Sequence, residues 1–584
     1  MTTDLPNPLP RAIALAAALA LGGFATTSAH ALDASAPAAP VPASEGERAG
    51  LVELRATTLA LIEALVEQGL LPRAKADELL AKARQAGSAA AGSAAAGTTT
   101  PAAGAPRAVA QWGEPASPPA VVRVPYLPES VKAKIKEDLK LDILSTARDE
   151  NWIDARVMPD WVGRVKVEGD VRVRAQADLL DNGNTAPELY QLQNYVGSTP
   201  AWSPDVVDTR KDRQRLTLRA RLGVAVKAGD DATAAIRISS GAATGPSSQT
   251  VTMGNDFNRS AVTLDRAYVR WEPVFGWRAM AGRMAVPFDG SDLIWPEDLS
   301  VEGVAGQGEL TLGRGVYAFS TVGAFPLQEL ATSGRDKWLY GAQAGIDWSF
   351  ADTWELRGAA ALYQFRNIEG VREQGLPPTG PFTNTGDYLS SQYPAGARQK
   401  GNTLMDLNAP GSSASTATWG LASRFRPFDV SVGLVDRQFD PFHLGVTVDY
   451  VRNTGFDRAD ILRRFGDGAP PELANLGAMI TGWQTRFTMG RARMEEKGDW
   501  TAFVAWRRFE RDAWPDAFTD TTWNLGGTNY QGYSIGGSWL LDTRMSVGAR
   551  WTSTRNLDDG THGNDLSSAK MKIDVLQVET NVRF

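Results

Sequence analysis

The sequence predicts an all-β transmembrane barrel of about sixteen antiparallel strands, with a small α-helical periplasmic region before it. Three observations carry this. Segments with one apolar and one polar face recur from residue 164 onward. The connections between them alternate between short and long. The last segment is itself two-faced: Leu576, Val578, Thr580, Val582 and Phe584 share one side, and Gln577, Glu579, Asn581 and Arg583 the other. Successive strand side chains point to opposite faces, so each such segment separates an apolar surface from a wet one. Taken alone, this last strand suits either the edge of a soluble sandwich or the closing strand of a membrane barrel.

The remaining segments decide between them. Val171, Val173 and Ala175 alternate with Arg172, Arg174 and Gln176, and Leu216 to Val226 alternate with Thr217 to Lys227. Tyr340 to Phe350 and Met545 to Trp551 repeat the pattern, with aromatic residues towards strand ends, as a membrane interface requires. Short connections fall at 228–231, 273–276, 312–315, 350–353, 439–441, 495–499 and 541–543. Long ones fall at about 180–212, 242–261, 287–302, 326–337, 366–416, 455–480, 511–529 and 556–570. Fifteen connections give sixteen strands. Periplasmic turns and extracellular loops produce this one-sided alternation. Closure then pairs the last strand with 164–179.

Ahead of the barrel, Arg11, an apolar run from Ala12 to Phe24 and Ala29-His30-Ala31 predict a signal peptide over residues 1–31. Residues 32–86 read as a helical periplasmic segment, with Leu51, Leu54, Leu61 and Leu65 on helical faces. Residues 87–120 are rich in Ala, Gly, Ser and Pro and read as a linker. Residues 121–163 read as a charged periplasmic helix with a lead-in to the barrel at 164–584.

Composition removes several classes. The chain of 584 residues has no cysteine, which excludes disulfides and thiolate chemistry. Its mean hydropathy of −0.25 does not fit a helical membrane protein, whereas barrels hide from hydropathy because alternate residues face the lumen. A net charge of −7 disfavours nucleic acid as a partner. Of three histidines, His30 falls in the signal peptide, and His443 and His562 fall at opposite ends of the barrel. No nucleophile–base pair is visible, so an enzyme is not expected, nor is a cofactor or metal. Asp181, Asp457 and Asp460 lack the spacing of a calcium loop.

Val124-Pro125-Tyr126-Leu127-Pro128, Pro159-Asp160-Trp161 and Gly169-Asp170-Val171-Arg172 resemble the opening of a family of bacterial outer-membrane porins. Gly282-Arg283-Met284, Ser291-Asp292-Leu293-Ile294-Trp295 and Val448-Asp449-Tyr450 fit the same family in the same order, over about residues 121–584. The resemblance implies a passive outer-membrane channel for small hydrophilic solutes and implies no particular solute. Phe584 looks like the terminal aromatic by which the barrel-assembly machinery recognises such proteins. A homo-oligomer in outer-membrane lipid is compatible with this. The alternative is a structural or adhesion barrel, tethered through its N-terminal helices and blocked inside.

Two sets of residues are candidates for the lumen. By alternation Arg172, Arg174, Arg219, Arg221, Arg237, Arg266, Arg270, Arg357, Arg486, Arg507 and Arg550 lie opposite the apolar face. On the lipid side each would cost up to ~2–4 kcal/mol at mid-depth, so they are expected to line the pore. They either form a positive wall favouring anions or are neutralised by loop acids. The loop after the fifth strand carries Asp289, Asp292, Glu297, Asp298 and Glu302. In sixteen-stranded general porins the loop at this position folds inward, so these acids are constriction candidates. Packing of the loop on the outer rim is the alternative.

Overall fold

The computed structural model describes residues 162–185, 208–373, 390–409, 418–557 and 570–584, apart from isolated positions within those ranges. The expectations for 1–31, 32–86, 87–120 and 121–161, and for His562, lie outside the described residues.

Sixteen strands build the wall. They are β1 (Val165–Leu180), β2 (Arg213–Lys227), β3 (Ala232–Ser240), β4 (Val262–Val274), β5 (Trp277–Ala285), β6 (Ser300–Gly313), β7 (Val316–Gln328) and β8 (Lys337–Phe350), followed by β9 (Trp354–Arg366), β10 (Pro427–Asp436), β11 (His443–Asn453), β12 (Thr481–Gly490), β13 (Trp500–Phe509), β14 (Tyr530–Asp542), β15 (Met545–Asn556) and β16 (Lys572–Arg583). Each pairs antiparallel with the next, and a two-residue piece, Val251–Thr252, adds to β2. The ring closes where β16 pairs with β1, from Leu180↔Ile573 to Asp170↔Arg583. Closure satisfies every ladder hydrogen bond without a free edge, the condition for crossing hydrocarbon with strands.

The outer surface is apolar and open. Val269, Trp271 and Trp277 are 53%, 54% and 63% exposed, and Val322 and Leu362 each 57%. An exterior of this kind is stable against lipid and not against water. At the short-turn end Trp271, Phe275, Trp277, Trp348, Phe439 and Trp539 form an aromatic girdle. The opposite parity faces inward and carries most of the charged side chains.

Two local expectations change. The long connection after β9 runs on to residue 426 and contains a small ladder, Leu404–Asp406 against Trp419–Leu421. Its Met405 and Leu407 pack with Ile461 and Phe465 rather than in the wall. Those two belong to a helix, α1 (Arg458–Phe465), inside the stretch expected as a long connection at about 455–480. Asp457 caps it by accepting from the Ala459 N–H at 2.9 Å, and Ile461 and Phe465, four residues apart, form its buried face.

Candidate functional site

The loop 286–299 joins β5 to β6. Its Asp298 lies 2.7 Å from Arg219 on β2, its Asp289 3.0 Å from Arg357 on β9, and its Asp292 2.8 Å from Arg486 on β12. Strands so far apart around a closed ring are touched together only from inside, so the loop crosses the lumen. Phe288, Leu293, Ile294, Trp295 and Leu299 supply the apolar reason, since all are buried. Trp295 packs edge-on to Tyr363 and Trp514 at 5.3 and 4.9 Å, and its indole N–H donates to the Tyr363 hydroxyl at 3.1 Å.

Space for this packing is cut into the wall. Gly341 faces the lumen beneath Phe288, and a Cβ there would overlap the ring. Gly303, just past the loop's exit, has φ +144, and a Cβ would collide with the Ala324 carbonyl. Only glycine fits at Gly303, and any larger residue at Gly341 must displace the Phe288 ring.

All eleven sequence-predicted arginines lie on the inward parity, and most are bound to carboxylates. Asp170 and Asp298 together hold Arg219 (3.0 and 2.7 Å) and Arg221, which also lies 3.7 Å from Glu297. Asp265 holds Arg237 and approaches Arg266 at 3.9 Å, and Glu272 lies 3.3 Å from Arg270. Arg357 is shared by Asp289 and Asp347, with its guanidinium 4.4 Å above the Phe319 ring. Arg174 and Arg172 converge on one acid, Glu579, at 2.7 and 3.9 Å. Arg550 donates to the Thr522 hydroxyl at 2.8 Å and has no ion pair among the described residues. Sequence reasoning did not single out the wall acids Asp170, Asp265, Asp347 and Glu579, although the same alternation places them on the same face.

Arg507 is the most enclosed of the set. Its side chain has no exposed surface and lies 3.0 Å from Asp292. It donates to the Gln484 side-chain oxygen at 2.8 Å and the Tyr530 hydroxyl at 3.0 Å, and stands 4.3 Å over the Trp523 ring. Burial opposes charge on Asp292, but Arg507 and Arg486 outweigh it and hold its pKa well below the carboxylate range.

Glu302 is a correction. It belongs to β6, not to the loop, and shares the outward parity of Val304 and Leu310. There it pairs with Arg283 of β5 at 2.9 Å, its side chain 60% exposed. The strand begins at Ser300, two residues before the expected loop end, so the alternation carries Glu302 to the outside.

A second loop, 510–529 between β13 and β14, also enters the ring, with Trp514 and Trp523 buried. It is tied to residues 390–409. Thr403 donates through N–H and hydroxyl to Asp512, the Asn402 amide donates to the Arg511 and Trp514 carbonyls at 2.7 and 2.8 Å, and the Tyr393 hydroxyl donates to Asp516.

Between these loops and the wall of β1, β2 and β12–β16 a cavity of about 520 Å³ remains open. Arg172, Arg174, Arg219, Arg486 and Arg550 line it, facing Asp292, Glu297, Asp298, Asp520 and Glu579. A second cavity of about 370 Å³, beyond the 286–299 loop, is bordered by Asp289, Asp347, Glu355 and Arg357.

A closed sixteen-strand ring with an apolar exterior and a charged, loop-narrowed interior defines a membrane-spanning barrel of the channel type. The chain belongs to the putative porin family, whose model matches residues 55–584. It is a porin-like channel of the outer membrane. Among solved structures it is similar to the outer membrane channel DcaP of Acinetobacter baumannii, with 13% identity over 72% of this chain and 97% of that one and a TM-score of 0.35. It is also similar to Salmonella typhi OmpF in complex with daunomycin, with 9% identity, 72% and 97% coverage and a TM-score of 0.35. A loop L8 deletion mutant of OmpT from Vibrio cholerae shows 8% identity, 72% and 100% coverage and a TM-score of 0.34. No curated protein matches the chain.

Proposed function

We propose that the protein passes small hydrophilic solutes by diffusion, with a preference for anions, and that it is not an enzyme. The observation that carries this is the 520 Å³ cavity, a polar space lined by five arginines and five acids. The arginines come from the wall, and all the acids but Glu579 from the two inward loops, so a solute would cross a transverse field. The anion preference rests on wall cations that have no carboxylate of their own within ion-pair distance. Arg172 and Arg174 share one acid, and Arg550 has no ion pair among the described residues. In this reading the long loops face outward, the short turns face the periplasm, residues 1–31 direct export, and Phe584 is the assembly signal.

The test is conductance of the purified protein in planar bilayers, followed by reversal potential in a salt gradient. Stepwise openings with anions more permeant support the reading, and folded protein in a silent bilayer overturns it. One observation favours a second reading, a sealed structural or adhesion barrel: the aromatic cluster of Phe288, Trp295, Tyr363 and Trp514 fills one side of the lumen. That reading requires the silent bilayer.

A further inference from the structure

The outward face of the barrel is not uniform around its circumference. On β1–β8 the only outward-facing cation within the strands is Arg283, already paired with Glu302 at 2.9 Å. On β9–β16 there are five, Arg366, Arg452, Arg508, Arg555 and Lys572, all at the long-loop ends of their strands. A cation pointing away from the lumen at that height meets neither pore water nor hydrocarbon. It meets the headgroup layer.

Three of the five stand in one lateral row. Cross-strand register places Arg508 of β13 opposite Gln531, Gln531 opposite Arg555, and Arg555 opposite Lys572. Adjacent strands are about 4.8 Å apart, so the row spans roughly 15 Å, within reach of these long side chains. Trp483 completes the row opposite Arg508, and one step towards mid-membrane Trp506 lies opposite Tyr533. Together they wall an outward groove of about 340 Å³, with cations at the rim and aromatic rings beneath. Trp483 and Trp506 are 39% and 45% exposed.

The acids nearby do not use up the row. Glu510 takes one contact from Arg508 at 3.1 Å, and Asp181 one from Lys572 at 3.6 Å, the latter between half-exposed groups. Arg555 has no carboxylate partner among the described residues; with the Gln531 amide turned so that its oxygen faces Arg555, that oxygen accepts from the guanidinium at 3.0 Å. Guanidinium and ammonium groups carry several N–H donors each, so most remain available. Phosphate oxygens complement such donors, and aromatic rings suit the boundary between headgroup and acyl chain.

We propose that this groove on β12–β16 is a binding site for the phosphorylated headgroup of a membrane lipid. The lipid's phosphate lies between Arg508, Arg555 and Lys572, and its glycerol or sugar and upper acyl chain lie against Trp483, Trp506 and Tyr533. The site is independent of the lumen and of what the channel passes.

The test uses the full-length protein in phosphatidylcholine micelles, titrated with phosphatidic acid and followed by native mass spectrometry. The triple variant R508Q/R555Q/K572Q should bind phosphatidic acid on the order of tenfold more weakly than wild type. R283Q, on the other half of the circumference, should bind as wild type does. Equal binding by the triple variant overturns the proposal, and so does an equal loss in R283Q, which would mark general surface charge. A change in oligomer mass with lipid binding unaltered also overturns it, because the groove would then be a contact between copies. Should the triple variant fail to fold, as judged by heat-modifiable gel mobility, the three single variants are titrated, and undiminished binding by all of them overturns the proposal equally. Channel conductance is the internal control: it stays at the wild-type value when only the outer groove is altered.

Discussion

The carboxylate of Asp292 lies 3.0 Å from the guanidinium of Arg507 and 2.8 Å from that of Arg486, joining the loop after β5 to the wall at β12 and β13. Trp523 of the second inward loop also points its indole N–H at this carboxylate, 3.4 Å away. One acid therefore links two loops and two strands inside the ring.

Replacing it tests whether that link holds the constriction. Asp292→Asn leaves Arg507 buried without an opposite charge, a loss of about 3–5 kcal/mol where a buried pair is broken. Denaturant unfolding should show the decrease, and single-channel conductance should rise as the loop loosens. Wild-type values of both would mean that the aromatic packing alone fixes the loop. Because the arginines hold the Asp292 pKa below its unfolded value, the contribution is present above the unfolded pKa. It is lost only as pH falls towards the depressed folded value, so the contact survives mild acid.

Selectivity is better probed away from the strongest pairs. Arg219 and Arg221 are each bound to Asp170 and Asp298, so neutralising them frees two acids and disturbs packing along with charge. Arg550→Gln and Arg172→Gln remove cations that no carboxylate holds alone. Each should lower the anion/cation permeability ratio, read as a shift of the reversal potential in a potassium chloride gradient. A reversal potential unmoved in the double variant would mean that the wall charges set no preference.

The packing of loop 510–529 on residues 390–409 should depend on pH. Burial raises the pKa of Asp516 to about 6, against hydrogen bonds from the Tyr393 hydroxyl and the Gln399 N–H that favour its charged form. The folded value exceeds the ordinary 3.8, so the folded state binds the extra proton. The stabilisation is complete below the unfolded pKa and is lost as pH rises through the folded one. Thermal stability should therefore be higher near pH 4 than near pH 7, with the change centred between the two values. Asp516→Asn removes the titrating group while keeping an acceptor oxygen for only one of the two donors, and should flatten this part of the profile. An unchanged slope would assign the pH dependence to another group.

Much of the wall was legible because membrane physics leaves little choice. An arginine at mid-depth in a strand whose other face is Val and Leu has to point inward, and all eleven predicted ones do; the strand arginines that point outward stand near the long-loop ends. Glu302 escaped that logic because its side depends on where β6 starts, and Leu299-Ser300-Val301 shows no break of pattern. The α1 helix left a usable signal in the Asp457 cap and the Ile461–Phe465 spacing, but one buried turn is short against a background of polar loop. The ties of Asn402, Thr403 and Tyr393 to the 510–529 loop had no signal at all. They join segments distant in the chain, and periodicity carries no information about which loops meet.

Gly341 offers a purely steric test of the constriction. It lies beneath Phe288, whose ring also meets Tyr363 at 5.1 Å and Trp295 at 6.1 Å. Gly341→Val leaves every charge in place and drives methyl groups into that ring, a cost of about 1–3 kcal/mol for overpacking. The loop should shift, giving noisier openings and altered conductance with little change in ion selectivity. Conductance traces like those of wild type would show that Phe288 can move without carrying Asp289 and Asp292 with it.

The seam is the last place where one residue can be set against the whole ring. Phe584 and Gly169 exchange two backbone hydrogen bonds of 3.0 Å, and the Phe584 ring lies over Gly169 so closely that a Cβ there would be 2.6 Å from it. The contact extends the β16–β1 pairing beyond Asp170↔Arg583, on the lipid side and away from the pore. Deleting Phe584 should thus reduce the folded fraction, measured by heat-modifiable mobility, while molecules that do insert conduct normally. Gly169→Val should displace the ring and also press on the Arg221 carbonyl, 2.7 Å from the added Cβ, giving a loss of the same kind, whereas Phe584→Tyr keeps both the pairing and the ring and should assemble as wild type. If the deletion inserts at wild-type levels while Gly169→Val does not, the seam depends on the fit around Gly169, and Phe584 is not the signal that assembly reads.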